Sequence, residues 1–191
     1  MRCKLSSVLA LACAMLIALG APQIATASEA AWQQLQAGSS VAILRHARAP
    51  GTGDPQNFRL EDCATQRNLS DAGRAQAQDI GRRFRERKVS VERVLSSRWC
   101  RSLETARLAF GNMTEPFPPL DSFFSDRRQE DGRTQAVRRT IEEWRSPGVL
   151  VLVTHQVNIT ALTGIFPTEG EILVLKPKTS GGFDLVGRIK L

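Results

Sequence analysis

Three short apolar runs in this chain stop abruptly on polar, chemically capable side chains. Val41-Ala42-Ile43-Leu44 gives way to Arg45-His46, and Val94-Leu95 gives way to Ser96-Ser97-Arg98-Trp99-Cys100-Arg101. Val149-Leu150-Val151-Leu152-Val153 gives way to Thr154-His155-Gln156. Continuous apolar runs, rather than alternation, suit strands covered on both faces; they predict strands over 41–45 and 149–154, and the shorter run that ends at Ser96 predicts one over 91–96. Between them the apolar positions recur at helical spacing. Residues 70–88 place Gly73, Ala77, Ile80 and Phe84 on one face, with Ser70 as the N-cap and Asp71 in the first turn. Arg82, Arg83, Arg85 and Arg87 fall on the solvated side.

Further helices are expected over 101–110, burying Leu103, Ala106 and Phe110, and over 134–145, burying Val137, Ile141 and Trp144. Shorter ones are expected over 29–37 and 157–162. Residues 116–119 read as an extended turn. Residues 171–175 and 183–189 flank Gly181-Gly182 and read as a terminal pair of strands. Residues 47–68 form a long polar loop, and such loops in compact domains are usually functional or pinned. Strands alternating with helices predict an α/β fold, a three-layer α/β/α sandwich with a mostly parallel central sheet. Ligands bind such sheets beyond the carboxyl ends of the strands. Three strands would thus deliver Arg45, His46, Arg101 and His155 to one pocket. These two histidines are the only ones in the sequence.

The N-terminus belongs to a different pattern. Residues 1–27 start basic (Arg2, Lys4), run apolar from Leu5 to Leu19, break at Gly20-Ala21-Pro22 and end in Ala25-Thr26-Ala27. That is the anatomy of a secretory signal peptide. The run is shorter than the roughly 20 apolar residues a membrane span needs, and a lipoprotein reading centred on Cys13 is weaker, because that cysteine lies inside the run with little apolar sequence before it. Cleavage after Ala27 leaves 164 of the 191 residues, 28–191, which suits one domain. It also leaves two of the four cysteines, Cys63 and Cys100. An exported chain, periplasmic or secreted, meets an oxidising compartment, so a disulfide between them is expected, tying the 47–68 loop to the pocket wall. No stable membrane span would remain.

Charge narrows the ligand. Losing Arg2 and Lys4 lowers the formal net charge from +7 to +5, which favours anionic ligands. Nucleic acid is disfavoured, because the arginines are dispersed over several helices and aromatic residues make up only 6% of the chain. A histidine attacking phosphorus needs a neutral ring nitrogen aimed at the phosphate and cations to offset the anion's charge. Arg45 and Arg101 offer forked donors to phosphoryl oxygens, and His155 adds another. Histidines flanked by arginines repel a metal ion, so neither metal nor other cofactor is expected.

At these residues the sequence resembles a known family. Leu44-Arg45-His46-Ala47 is similar to the Arg-His-Gly signature of the histidine phosphatase superfamily, branch 1, which includes phosphoglycerate mutases. Ser96-Ser97-Arg98-Trp99-Cys100-Arg101-Ser102-Leu103-Glu104-Thr105-Ala106 resembles its second motif, and Val153-Thr154-His155-Gln156 its Ser-His-Gly motif. The resemblance is nearest to small exported bacterial members, with lipopolysaccharide core heptose-phosphate phosphatases among the named relatives. It implies a phosphoglycerate mutase-like fold and a metal-independent phosphomonoesterase. It implies His46 as the nucleophile that forms a phosphohistidine, and Arg45, Arg101 and His155 as phosphate ligands. A phosphosugar or another envelope phosphoester is the implied substrate class.

Ala47 and Gln156 stand where the family usually has glycine, so a narrower pocket or an added amide contact from Gln156 is expected. The family usually places an acid after the second motif to protonate the leaving oxygen. Asp121 is the first choice here, with Asp126, Glu130 and Asp131 as rivals. The alternative to an enzyme is a non-catalytic phospho-ligand binding protein of the same fold.

Overall fold

The computed structural model describes residues 27–191; the targeting segment read over 1–27 lies outside the described residues, apart from Ala27. The chain runs α1 (Ala27–Ala37), β1 (Ser40–Arg45), α2 (Asp71–Glu86), β2 (Val91–Ser96), α3 (Cys100–Phe110) and β3 (Thr114–Pro116). It continues through α4 (Glu130–Glu142), β4 (Val149–Thr154), α5 (Gln156–Thr163), β5 (Ile172–Pro177) and β6 (Phe183–Ile189). Six strands form one sheet in the order β3-β2-β4-β1-β5-β6. The four strands from β3 to β1 are mutually parallel, and β5 and β6 pair antiparallel at the far side.

Side-chain alternation on the central strands explains the three layers. Ala42, Leu44, Val94, Val151 and Val153 face the apolar sides of α1, α2 and α3, meeting Trp32, Leu35, Ile80, Phe84 and Ala106. Val41, Ile43, Leu95, Leu150 and Leu152 face the other way, meeting Val137 and Ile141 of α4 and Ile159 and Leu162 of α5. Both faces of β1 and β4 are therefore buried, as their unbroken apolar runs require. The approach of α2 to α3 is close. A Cβ added at Gly81 would lie 2.1 Å from the Ala109 carbonyl oxygen, so only glycine fits there.

The expected elements are present, with shifted ends. The fourth helix begins at Glu130, four residues before the Thr134 start expected, because residues 130–133 continue the turn begun by the 3-10 helix Arg127–Gln129. β3 was not expected, and only its last residue, Pro116, falls within the turn read over 116–119. It has three residues and ends on a proline, too short to show a period.

Cys63 and Cys100 form a disulfide across a sequence separation of 37. The bond fastens the middle of the 47–68 loop to the first residue of α3. Among the described residues no helix is long and apolar enough to cross a membrane. Replacing both cysteines by serine is expected to lower the unfolding free energy by about 4 kcal/mol, the chain-entropy value for a loop of this length. Urea denaturation of the two forms measures it, and a change under about 1 kcal/mol would show that the loop is held by other contacts.

Candidate active site

Three neighbouring strand ends build the floor of one cavity. β1 and β4 pair with Arg45 opposite Thr154, and β2 and β4 pair with Ser96 opposite Val153. The ladder continues one step beyond each strand: His46 N donates to Thr154 O at 2.8 Å, and Ser97 N to Val153 O at 2.9 Å. His46, Ser97 and His155 thus emerge side by side. The cavity has a volume of about 660 Å³, well within the range of small-molecule sites. Arg45, His46, Arg101, His155 and Gln156 all line it, together with Asp54 and Arg67 from the loop after β1.

The hydrogen bonds fix the state of both imidazoles. His46 Nδ1 lies 2.8 Å from the Ala47 carbonyl oxygen. A carbonyl only accepts, so Nδ1 carries the proton and Nε2 keeps its lone pair. His155 Nδ1 lies 3.4 Å from Arg101 Nη2, a group that only donates, so this ring is protonated at Nε2 instead. That Nε2–H donates to Ser97 Oγ at 2.8 Å, and Ser97 Oγ donates onward to Asp121 Oδ1 at 3.4 Å. The two rings sit edge to face, with centroids 5.4 Å apart. Burial, and next the charge of Arg101, push both imidazoles well below their ordinary pKa. Both are neutral at neutral pH.

Three guanidiniums surround them. Arg101 is buried and forked onto Asp54, with Nη1–Oδ1 at 2.7 Å and Nη2–Oδ2 at 3.2 Å. Arg45 donates to the Pro167 carbonyl at 3.1 Å. Arg67 donates through Nε to Gly53 O at 2.8 Å and through Nη1 to Ala49 O, bracing the loop. The Nε atoms of Arg45 and Arg101 are buried donors with no acceptor among the described residues. An oxyanion between them would supply one.

Asp121 stands away from the cavity, contrary to the acid role expected of it. Its side chain is fully buried, and both carboxylate oxygens accept from Arg98: Oδ1 from the backbone N at 2.8 Å, Oδ2 from Nε at 2.8 Å and Nη2 at 2.6 Å. Asn158 Nδ2 binds its backbone oxygen at 2.9 Å. Asp121 is therefore a strut joining the β2–α3 turn to α5. Its rivals also fall outside the cavity: Asp126 pairs with Arg128, Glu130 with Arg127, and Asp131 lies exposed at the start of α4.

Ala47 does not narrow the cavity as expected. It is fully buried against Ala49, Leu69 and Ala77, and its N–H binds Thr105 Oγ1 at 3.0 Å. Gln156 does line the cavity, with its amide Nε2 turned onto Thr160 Oγ1 at 2.8 Å.

Sequence reasoning missed Asp54 and Arg67, and it quoted Ser97 without a role. The signal for the first two was the length of the 47–68 loop, which pointed to function but not to a residue. Asp54 is the single carboxylate among the lining residues. Burial opposes its charge, but donors from Arg101, Trp99 and Arg67 outweigh burial and hold the carboxyl below the usual range.

Comparison with known proteins agrees with this geometry. Residues 41–123 match the model of the histidine phosphatase superfamily (branch 1). A search of curated proteins returns no match. Among solved structures, the protein histidine phosphatase SixA complexed with tungstate is 18% identical, with a TM-score of 0.55, over 79% of this chain and 96% of that one. Mycobacterial glucosyl-3-phosphoglycerate phosphatase, complexed with VO3, is 17% identical, with a TM-score of 0.56, over 77% and 96%. Phosphoserine phosphatase from Entamoeba histolytica, in complex with 3-phosphoglyceric acid, is 14% identical, with a TM-score of 0.57, over 80% and 97%. At these identities the likeness establishes the shared phosphoglycerate mutase-like fold.

With only two histidines, the tautomers are directly readable by 15N NMR. At pH about 6.5, where an ordinary imidazole is half protonated, both rings are expected to be neutral, one with the proton on Nδ1 and the other on Nε2. Protonation should begin only as the pH falls well below that value. Ser97→Ala should leave His155 in the Nε2–H form, because Arg101 still faces Nδ1, but should shift its Nε2 resonance through loss of the hydrogen bond to Ser97, with His46 unchanged.

Proposed function

We propose that this branch 1 histidine phosphatase is a metal-independent phosphomonoesterase in which His46 is the nucleophile. The observation that carries this reading is the hydrogen bond from His46 Nδ1 to the Ala47 carbonyl. It leaves Nε2 unprotonated in a cavity floored by Arg45, Arg101 and His155. Nε2 attacks phosphorus, the bond from phosphorus to the leaving oxygen breaks, and that oxygen takes up a proton. Water then attacks the phosphohistidine, releasing inorganic phosphate and restoring the neutral ring. Arg45 and Arg101 bind the phosphoryl oxygens, and His155 and Gln156 border them. The same guanidiniums oppose a metal cation at this place.

Asp54 takes the acid role that Asp121 is not placed to perform. A substrate dianion arriving beside it competes for Arg101 and raises the carboxyl's pKa by like-charge repulsion. The carboxylate takes up a proton from solvent as the ester binds and passes it to the leaving oxygen, and the water that hydrolyses the phosphohistidine returns a proton to it.

The basic, apolar and small-residue pattern of 1–27 supports export of the 28–191 domain, and the disulfide supports an oxidising periplasmic or extracellular setting. A small phosphoester, such as a phosphosugar, is the expected partner.

Two measurements test these roles. Purified protein in chelator should hydrolyse a phosphomonoester and, after acid quench, carry a phosphate on His46. His46→Ala should reduce turnover by about 10⁴-fold or more while still binding orthophosphate. Folded protein that binds phosphate but neither hydrolyses an ester nor forms the adduct would instead be a binding protein of this fold. For the acid, Asp54→Asn should lower kcat/KM on alkyl phosphates by about 10²-fold or more, yet spare nitrophenyl phosphate, whose leaving group needs no proton. Equal losses on both would mean that Asp54 serves only to hold Arg101.

A further inference from the structure

Above the cationic floor the cavity changes character. Phe58, Trp99, Phe124, Phe166 and Val157 supply apolar lining. The aromatic members come from separate segments: the loop after β1, the β2–α3 turn, the loop before α4 and the segment after α5. Phe58 stacks on Trp99 with centroids 5.1 Å apart and planes at 21°, and Trp99 Nε1 is held by Asp54 Oδ2 at 2.9 Å. One aromatic wall is thus fixed in orientation.

Phe124 and Phe166 are different. They are 51% and 67% exposed, the two most exposed large hydrophobic side chains among the described residues. Both lie at this cavity and not elsewhere on the surface. Folding gains little from exposed rings, so their placement at the mouth points to a ligand that covers them. The polar residues among them, Thr52, Gln56, Ser122 and Ser125, are uncharged donors and acceptors. Aromatic faces interleaved with hydroxyl and amide groups fit a ring with flat C–H faces and hydroxyls at its edge.

We infer that Phe124 and Phe166 form a leaving-group subsite that brackets the ring of a cyclic sugar phosphate. The inference deepens the phosphomonoesterase reading and rests on it for the place of the phosphate. The phosphoryl group sits on the arginine floor. The sugar ring stands above it against the phenylalanines, and its hydroxyls meet Gln56, Ser122 and Ser125.

Three phosphates separate ring from chemistry: glucose 6-phosphate, glycerol 3-phosphate and benzyl phosphate, each losing a primary alcohol. In the unsubstituted protein kcat/KM should favour glucose 6-phosphate over glycerol 3-phosphate by about tenfold or more, as a desolvated aromatic contact would give. The double variant Phe124→Ala/Phe166→Ala should bring the ratio close to one while leaving inhibition by orthovanadate unchanged. Dissociation constants for the same three compounds, measured on the His46→Ala chain, should show the same order and the same loss. This second readout does not depend on turnover, so a failed phosphatase reading and a failed subsite are separable. A ratio near one in the parent protein, or a ratio untouched by the double variant, overturns the subsite. A preference for benzyl phosphate over glucose 6-phosphate overturns the sugar assignment.

Discussion

The site depends on one buried guanidinium. Arg101 is 3% exposed, in a position where an unpaired charge would cost several kcal/mol. Asp54 offsets that cost with a two-pronged pairing, and the need for this partner decides where the loop after β1 must lie. The same cation, within reach of both imidazoles, helps to keep them unprotonated. Counter-charge, loop position and the neutral state of both imidazoles therefore follow from a single side chain at the start of α3.

The histidines are held by the backbone more than by one another. Parallel pairing of β1, β4 and β2 sets their spacing, and each ring is oriented by a different acceptor: the Ala47 carbonyl for His46, Ser97 for His155. Behind Ser97 stands Asp121, whose oxygens are occupied by Arg98. A carboxylate at this depth acts by rigidity. It locks the turn that carries Ser97, and through it the ring of His155. Thr154 Oγ1 reinforces the arrangement by binding Leu120 O at 2.6 Å, which ties the end of β4 to the same segment.

Much of this was legible in the chain. Apolar runs buried on both faces announced β1 and β4, the shorter Val94-Leu95 run announced the end of β2, and polar residues that follow each run lie at the cavity. The helical stripe of Gly73, Ala77, Ile80 and Phe84 was equally clear, since these four side chains are buried together. What the sequence could not show was the direction of side chains in irregular segments. Asp121 follows a proline-rich turn at a position suited to an acid, but its direction depends on Arg98, and no periodicity encodes that contact. Asp54 is silent for the converse reason: its role comes from a long-range pairing across 47 positions, within a loop that carries no repeat.

The disulfide has a consequence for how the chain matures. The sequence holds four cysteines, Cys3, Cys13, Cys63 and Cys100. Four thiols allow three ways of pairing completely, whereas two allow one. Removal of residues 1–27 would take Cys3 and Cys13 with it, so the remaining chain has no wrong partner within itself. Its oxidation then requires an electron acceptor but no isomerase, and every intramolecular bond formed is the one that seats the loop beside Arg101.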